Sequence, residues 1–273
     1  MGYTVGVLSL VNQETMLVLE AGRTLGELRP PFPYTQVDIP RQDGARQFAW
    51  IVKAPDRADT AVWLLYLHGN ASTIASSVNI AHYREFRQLG LNTFAPEYRG
   101  FAGLDGMPTE AALNFDARAA YDSLRSEQRV PPDRIVFFGW SLGSAVAVDL
   151  ALNVENAGLI LEGAPASQAG LSQRRYPLFP VHLLMRNLFD SRSKIDRIQS
   201  PMLFLHGSDD EVVPIAEGRR LFDAARADKR FVEIHGAGHV NLADVDPRTF
   251  SNAIREFLDA HALASLSHAK TGT

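Results

Sequence analysis

The sequence predicts an α/β protein in which helices flank a mostly parallel, eight-stranded sheet within one doubly wound domain. Two observations predict this class. Short apolar runs alternate along the chain with longer segments of helical periodicity, and no repeat or low-complexity tract interrupts that alternation. The chain has 273 residues, of which 46% are hydrophobic and 21% are charged, so it can bury a sizeable core.

The sheet is predicted to open with an antiparallel hairpin. Residues 34–39 and 47–52 are rich in strand-forming side chains, and the polar, glycine-containing segment 41–44 supplies the turn. After the hairpin, strands alternate with helices, an order that produces parallel strands. The six later strands are expected at 62–67, 92–96, 135–139, 158–162, 202–206 and 230–234. The helices are expected near 74–89, 109–126, 142–153, 214–226 and 247–261.

The domain is expected to span residues 34–262, after an N-terminal extension of residues 1–33 and before a flexible tail at 263–273. Residues 166–200 lengthen one connection far beyond an ordinary crossover. Inside this segment, apolar residues recur at helical spacing: Val181, Leu184, Met185 and Leu188. We interpret the segment as a small lid; the alternative is a helix that covers the sheet like any other.

Composition narrows the classes of partner and chemistry. The net charge is −4 and the isoelectric point about 6.1, so nothing favours nucleic acid as a partner. The chain has no cysteine, which excludes disulfides, thiolate catalysis and cysteine-bound metals. The apolar run at residues 5–11 is too short to span a membrane and lacks the basic flank of a signal peptide. We expect a soluble, cytoplasmic protein, with peripheral membrane association and oligomeric state left open.

A serine lies where a strand is predicted to turn sharply into a helix. Residues 139–143 read Gly-Trp-Ser-Leu-Gly, after the apolar run 135–138 and before the helix-forming run 144–148. Such a turn crowds the positions two before and two after the serine, so only very small side chains fit there. We therefore predict that Ser141 is a nucleophile above the carboxyl ends of parallel strands. The backbone N–H of Leu142, which begins the helix, would donate to a developing oxyanion.

A serine nucleophile needs a base that takes its proton and an acid that orients the base. His239 follows the last predicted strand on a glycine-framed loop, and we predict that it is the general base. Its competitor is His235, which adjoins the strand and is expected to pack or cap there. For the acid we favour Asp210, in the turn after a predicted strand. Asp209 is the second choice and Glu162 the third.

A second oxyanion donor is expected in the loop after the third strand. Residues 68–71 read His-Gly-Asn-Ala and form a glycine-containing turn there, so the backbone N–H of Asn70 is our candidate. His68 lacks the spaced histidine partner of a typical metal site. It and His206 both lie at strand ends, where we expect structural roles. We expect no metal and no cofactor.

Five ordered motifs together resemble the α/β-hydrolase superfamily over about residues 45–260. They lie at residues 67–71, 97–101, 139–143, 206–214 and 238–239. The branch that they most resemble is that of the small-cap serine hydrolases, which includes ABHD-type depalmitoylases and bacterial esterases. The resemblance implies an α/β-hydrolase fold. It also implies a set of site residues, with a triad of Ser141, Asp210 and His239 and an oxyanion hole of Asn70 and Leu142.

Two of the departures from the family pattern bear on the pocket and on the substrate. Glu97 stands where an aspartate is usual, and the chain lacks the N-terminal cysteine cluster by which membrane-acting relatives are lipidated. The first affects the wall of the pocket rather than the triad. The second argues against a membrane-tethered thioesterase.

The sequence thus predicts a serine esterase that cleaves a small-molecule carboxylic ester through an acyl-enzyme. Acyl thioesterase, lysophospholipase and monoacylglycerol lipase are the alternatives, and serine peptidase is a less favoured one. A non-catalytic binding module is a distant alternative, because such a module usually loses a triad member and here each position is filled. A dehalogenase or epoxide hydrolase would need an aspartate in place of Ser141.

Overall fold

The structure is a computed structural model that describes residues 28–55, 62–175, 177–178 and 185–261. Within these residues the strands are β1 (Thr35–Asp38), β2 (Phe48–Val52), β3 (Trp63–Leu67), β4 (Asn92–Pro96), β5 (Ile135–Trp140), β6 (Gly158–Glu162), β7 (Met202–Gly207) and β8 (Lys229–Ile234). The helices are α1 (Ser77–Gln88), α2 (Glu110–Ser126), α3 (Leu142–Ala151), α4 (Gln168–Arg175), α5 (Ile215–Ala224), α6 (Leu242–Val245) and α7 (Pro247–Ala260). None of the helices in this described part of the chain is long and apolar enough to cross a membrane.

All eight strands form one sheet in the order β1-β2-β4-β3-β5-β6-β7-β8. The predicted opening hairpin is confirmed, because β1 pairs antiparallel with β2. Strand β2 also runs antiparallel to β4, while the six strands from β3 to β8 are parallel. The sheet is therefore mixed, with a parallel portion whose carboxyl ends meet at one edge.

Helices cover both faces of the sheet, so its central strands are apolar on both sides. In β3, Leu65 and Leu67 belong to one core with residues of α2 and α3, whereas Leu64 and Tyr66 belong to a second core with residues of α1 and α7. This alternation is the two-residue period of a strand. Every residue of β3 is buried, which explains why the sequence shows an unbroken apolar run there.

Two of the helices have a side-chain cap at their N-terminus. The Thr109 hydroxyl accepts a hydrogen bond from the N–H of Ala112 at the start of α2. The Asp246 carboxylate accepts one from Thr249 at the start of α7, whose first residue is Pro247. Each cap satisfies a backbone donor that the helix itself leaves without a partner.

The long connection between β6 and β7 differs from its prediction in the part that is described. It contains α4, which the periodicity did not indicate, and the predicted positions Val181 and Leu184 lie outside the described residues. Met185 and Leu188 do not lie on a helix. The Leu188 carbonyl instead accepts a hydrogen bond from Ala169 in α4, and the backbone N–H of Phe189 donates to Glu110 in α2. The lid remains a prediction.

Candidate active site

Ser141 lies between β5 and α3 in a strained conformation, with φ of 54° and ψ of −118°. The chain passes so close to itself here that side chains on the flanking glycines would not fit. A Cβ added to Gly139 would lie 2.5 Å from the Cα of Ser144, and one added to Gly143 would lie 1.9 Å from the carbonyl oxygen of Leu67. The predicted steric reason for both glycines is confirmed. Strain of this kind is found at functional sites because the surrounding structure must hold it.

A continuous chain of hydrogen bonds joins Ser141 to His239 and Asp210. The His239 Nε2 lies 2.9 Å from the Ser141 Oγ, and its Nδ1 lies 2.7 Å from the Asp210 Oδ2. A carboxylate oxygen can only accept, so Nδ1 carries the hydrogen and Nε2 presents its lone pair to the serine hydroxyl. The His239 side chain is 9% exposed and the Asp210 side chain is fully buried. This geometry can transfer a proton from serine to histidine.

Four groups contact the Asp210 carboxylate. Its Oδ1 accepts the backbone N–H groups of Val212 and Val213, and its Oδ2 accepts from His239. The Nε2 of buried His206 lies 3.4 Å from the same Oδ2 and 2.8 Å from the Val213 carbonyl. Burial opposes ionisation of Asp210, but the donors of His206, His239 and Val213 outweigh it and hold the pKa of this carboxyl well below its usual range.

The alternative candidates lie elsewhere. The exposed Asp209 accepts a hydrogen bond from the Ser208 hydroxyl. Glu162 is fully buried, and its Oε1 lies 3.3 Å from the Nε2 of His82, so it faces a different imidazole. The expectation for His235 was wrong, because its side chain is 87% exposed and lies beside Glu233 instead of packing. The strand before it ends at the sheet edge, which leaves His235 open to solvent.

Close backbone contacts bring the loops after β6, β7 and β8 together. A Cβ at Gly163, which has φ of +55°, would lie 3.1 Å from the His239 Cε1 and 3.6 Å from the Asp210 Oδ2. A Cβ at Gly207 would lie 2.2 Å from the carbonyl oxygen of Ala237, in the loop that leads to His239. The indole Nε1 of Trp140 donates to the His239 carbonyl from the other side. These contacts fix the position of the imidazole.

The predicted oxyanion donors lie on two segments beside Ser141. Leu142 is the first residue of α3, so no preceding turn of that helix can accept its N–H. The turn that contains Asn70 lies against the elbow, which is the sharp turn of residues 139–143 between β5 and α3. A Cβ at Gly69 would lie 3.2 Å from the Ser141 Cβ and 2.8 Å from the Trp140 ring. Both segments therefore adjoin the serine, with Asn70 in the loop after β3.

Sequence reasoning missed two residues that shape this site. Trp140 belongs to the predicted turn around Ser141, but the sequence does not show that its indole bonds to the loop of His239. Glu97 departs from the family pattern, but the sequence does not show that its buried carboxylate receives hydrogen bonds from the loop after β3. A carboxylate directly after an apolar strand is a signal that could have identified Glu97, because burying it requires partners.

The sheet order, the serine elbow and the later strand ends that carry histidine and aspartate define the class of protein: a hydrolase with the α/β-hydrolase fold. Family comparisons agree. Residues 64–193 match the model of the alpha/beta hydrolase family, and residues 181–246 match that of serine aminopeptidase, S33. The chain belongs to the α/β-hydrolase superfamily.

Individual relatives show how far the similarity extends. An uncharacterized protein of Mycobacterium tuberculosis is 34% identical over 227 residues, which are 83% of this chain and 80% of that protein. Human alpha/beta hydrolase domain-containing protein 17B is 31% identical over 183 residues, which are 64% of this chain and 59% of that protein. A Pyrococcus furiosus esterase has a similar solved structure, with a TM-score of 0.71, 19% identity, and coverage of 88% of this chain and 96% of that one. The last comparison concerns the fold alone.

Proposed function

We propose that this protein is a serine esterase that cleaves small carboxylic esters through an acyl-enzyme. The observation that carries the proposal is the hydrogen-bonded chain from Ser141 through His239 to Asp210 at a strained elbow. A serine hydroxyl is a weak nucleophile, and this arrangement supplies both the base and the group that orients it.

The reaction runs in two halves. The Ser141 Oγ attacks the ester carbonyl while His239 Nε2 takes the hydroxyl proton, and Asp210 stabilises the resulting imidazolium. The oxyanion receives hydrogen bonds from the backbone N–H groups of Leu142 and Asn70. Collapse breaks the bond to the alkoxy group, which leaves as the alcohol with the proton from His239. Water then attacks the acyl-enzyme with His239 again as base, which releases the carboxylic acid and restores the serine.

The test is hydrolysis of p-nitrophenyl acetate and butyrate by the wild type and by Ser141→Ala. We expect turnover by the wild type and loss of at least three orders of magnitude in kcat/KM in the variant. Circular dichroism and thermal unfolding would establish that the variant is folded. Ester hydrolysis that survives in a folded Ser141→Ala protein would overturn the proposal.

A serine peptidase is the second candidate, because residues 181–246 match the serine aminopeptidase model. The same nucleophile would serve, with an amine as the leaving group. Aminoacyl p-nitroanilides would distinguish the two reactions. Parallel assays with acyl thioesters and lysophospholipids would define the acyl and alcohol preference.

A further inference from the structure

A buried glutamate holds both ends of the loop that contains Asn70. Glu97 is the first residue after β4 and has no exposed surface. Its Oε1 accepts from the His68 Nε2 at 2.8 Å, at the start of the loop, and from the backbone N–H of Tyr98 at 3.0 Å. Its Oε2 accepts the backbone N–H of Ile74 at 3.0 Å, at the end of the loop. One carboxylate thus bridges residues 68–74.

The hydrogen bonds require a carboxyl group at this position. The Nδ1 of His68 lies 2.8 Å from the Gly69 carbonyl, which can only accept, so Nδ1 carries a hydrogen. Each carboxylate oxygen of Glu97 also accepts a backbone N–H, Oε1 from Tyr98 and Oε2 from Ile74, and only a carboxylate offers an acceptor at both positions.

The same loop touches the elbow. The position of a Gly69 Cβ lies 3.2 Å from the Ser141 Cβ, and that of a Gly143 Cβ lies 2.7 Å from the His68 carbonyl oxygen. A shift of the loop would therefore move Asn70 relative to the nucleophile. Oxyanion donors act only within a narrow range of distances, and loss of one donor typically lowers kcat by roughly 10²–10³-fold.

We propose that Glu97 is a positioning residue that holds the Asn70 N–H in the oxyanion hole through His68 and the Ile74 backbone. It does not contact the substrate. The inference rests on the proposed function, because it assigns a support to the donor that the esterase reaction uses. It differs from the simpler view that Glu97 only fills space in the core.

Two substitutions separate positioning from space filling. Glu97→Gln keeps the side-chain volume, but either orientation of its amide places an NH2 group against a backbone N–H, of Tyr98 or of Ile74. Glu97→Asp keeps a carboxylate with acceptors on both oxygens and removes one methylene. Positioning predicts that the aspartate variant retains more activity than the glutamine variant. Space filling predicts the reverse order, because only aspartate leaves a cavity.

The experiment measures kcat and KM for p-nitrophenyl butyrate and the infrared carbonyl band of a trapped acyl-enzyme in the full chain. We expect Glu97→Gln to lower kcat roughly ten- to hundredfold, with KM within about twofold, and to move the carbonyl band to higher frequency as its hydrogen bonds weaken. Glu162→Gln is the matched control, because it alters another buried glutamate that faces a histidine. We expect its carbonyl band to stay at the wild-type frequency.

The outcomes are distinct. Wild-type kcat and an unshifted band in Glu97→Gln would overturn the positioning role, as would an aspartate variant less active than the glutamine variant. If Glu97→Gln fails to fold, the carbonyl band of the Glu97→Asp acyl-enzyme decides the question. We expect a small shift of that band to higher frequency, and an unshifted band would overturn the positioning role. Failure of the proposed function would look different, because the wild-type protein itself would then form no acyl-enzyme at Ser141.

Discussion

Replacing Asp210 by asparagine tests the assignment of the acid most sharply, because the structure determines how the new amide must lie. The Oδ1 position accepts two backbone N–H groups, from Val212 and Val213. The amide oxygen of asparagine must stay there, so its NH2 group faces the His239 Nδ1. His239 must then accept at Nδ1 and carry its hydrogen on Nε2, which removes the lone pair that takes the serine proton.

The expected loss follows from the interaction that disappears. An imidazolium and a carboxylate about 4 Å apart attract each other by about 4 kcal/mol at an effective dielectric constant of about 20. Since each 1.36 kcal/mol corresponds to about a tenfold change in rate, losing this attraction in the transition state lowers the rate about a thousandfold. The unfavourable tautomer of His239 adds to this. We therefore expect kcat/KM of Asp210→Asn to fall about 10³- to 10⁴-fold.

The assay is hydrolysis of p-nitrophenyl butyrate near neutral pH, with Asp209→Asn as the matched control. Asp209 is the neighbouring residue, carries the same side chain and is exposed, so its variant should stay within about twofold of wild type. An Asp210→Asn protein that keeps more than about a tenth of the wild-type kcat/KM would refute the reasoning. So would an equal or larger loss in Asp209→Asn, which would make Asp209 the acid.

Three further predictions follow from the same contacts. Gly143→Ala should destabilise the fold by about 3 kcal/mol or more, measured by urea unfolding, because its Cβ would lie 1.9 Å from the Leu67 carbonyl oxygen; an unchanged midpoint would contradict this. Gly163→Ala should lower kcat roughly ten- to hundredfold by displacing His239, and wild-type kcat would show that the imidazole tolerates the contact. Because the folded-state pKa of Asp210 is lowered, its ionisation stabilises the fold above about pH 4 and loses this effect as the pH falls further. The difference in free energy of unfolding between wild type and Asp210→Asn should therefore shrink between about pH 5 and pH 3. A difference that grows over this range would show that folding does not lower the pKa of Asp210.

Most of the sheet could be predicted from the sequence because buried parallel strands leave unbroken apolar runs. The runs at β3, β5 and β7 each begin and end within a residue of the predicted bounds. Pairing was harder to predict. That β2 lies beside β4 instead of β3 depends on contacts between distant segments, which the local pattern does not encode.

The arrangement of the candidate site could be predicted as far as its chemistry required particular residue types after strand ends. Ser141, His239 and Asp210 were chosen for that reason, and the structure places them in one hydrogen-bonded chain. The surroundings were not predictable, because burial depends on the whole fold. The irregular chain around Leu188 shows the limit of periodicity, since Met185 and Leu188, which the apolar spacing assigned to a helix, do not lie on one in the described residues. The exposure of His235 shows the same limit.

The most direct test of the central claim is whether Ser141 becomes acylated during turnover. Rapid acid quenching after mixing with p-nitrophenyl butyrate, followed by mass spectrometry of the digested chain, would locate the acyl group. We predict a butyryl adduct on the peptide that contains Ser141, which forms with the burst of p-nitrophenol and is absent from Ser141→Ala. Burst turnover without an adduct on that peptide, or an adduct that persists in the alanine variant, would contradict the account.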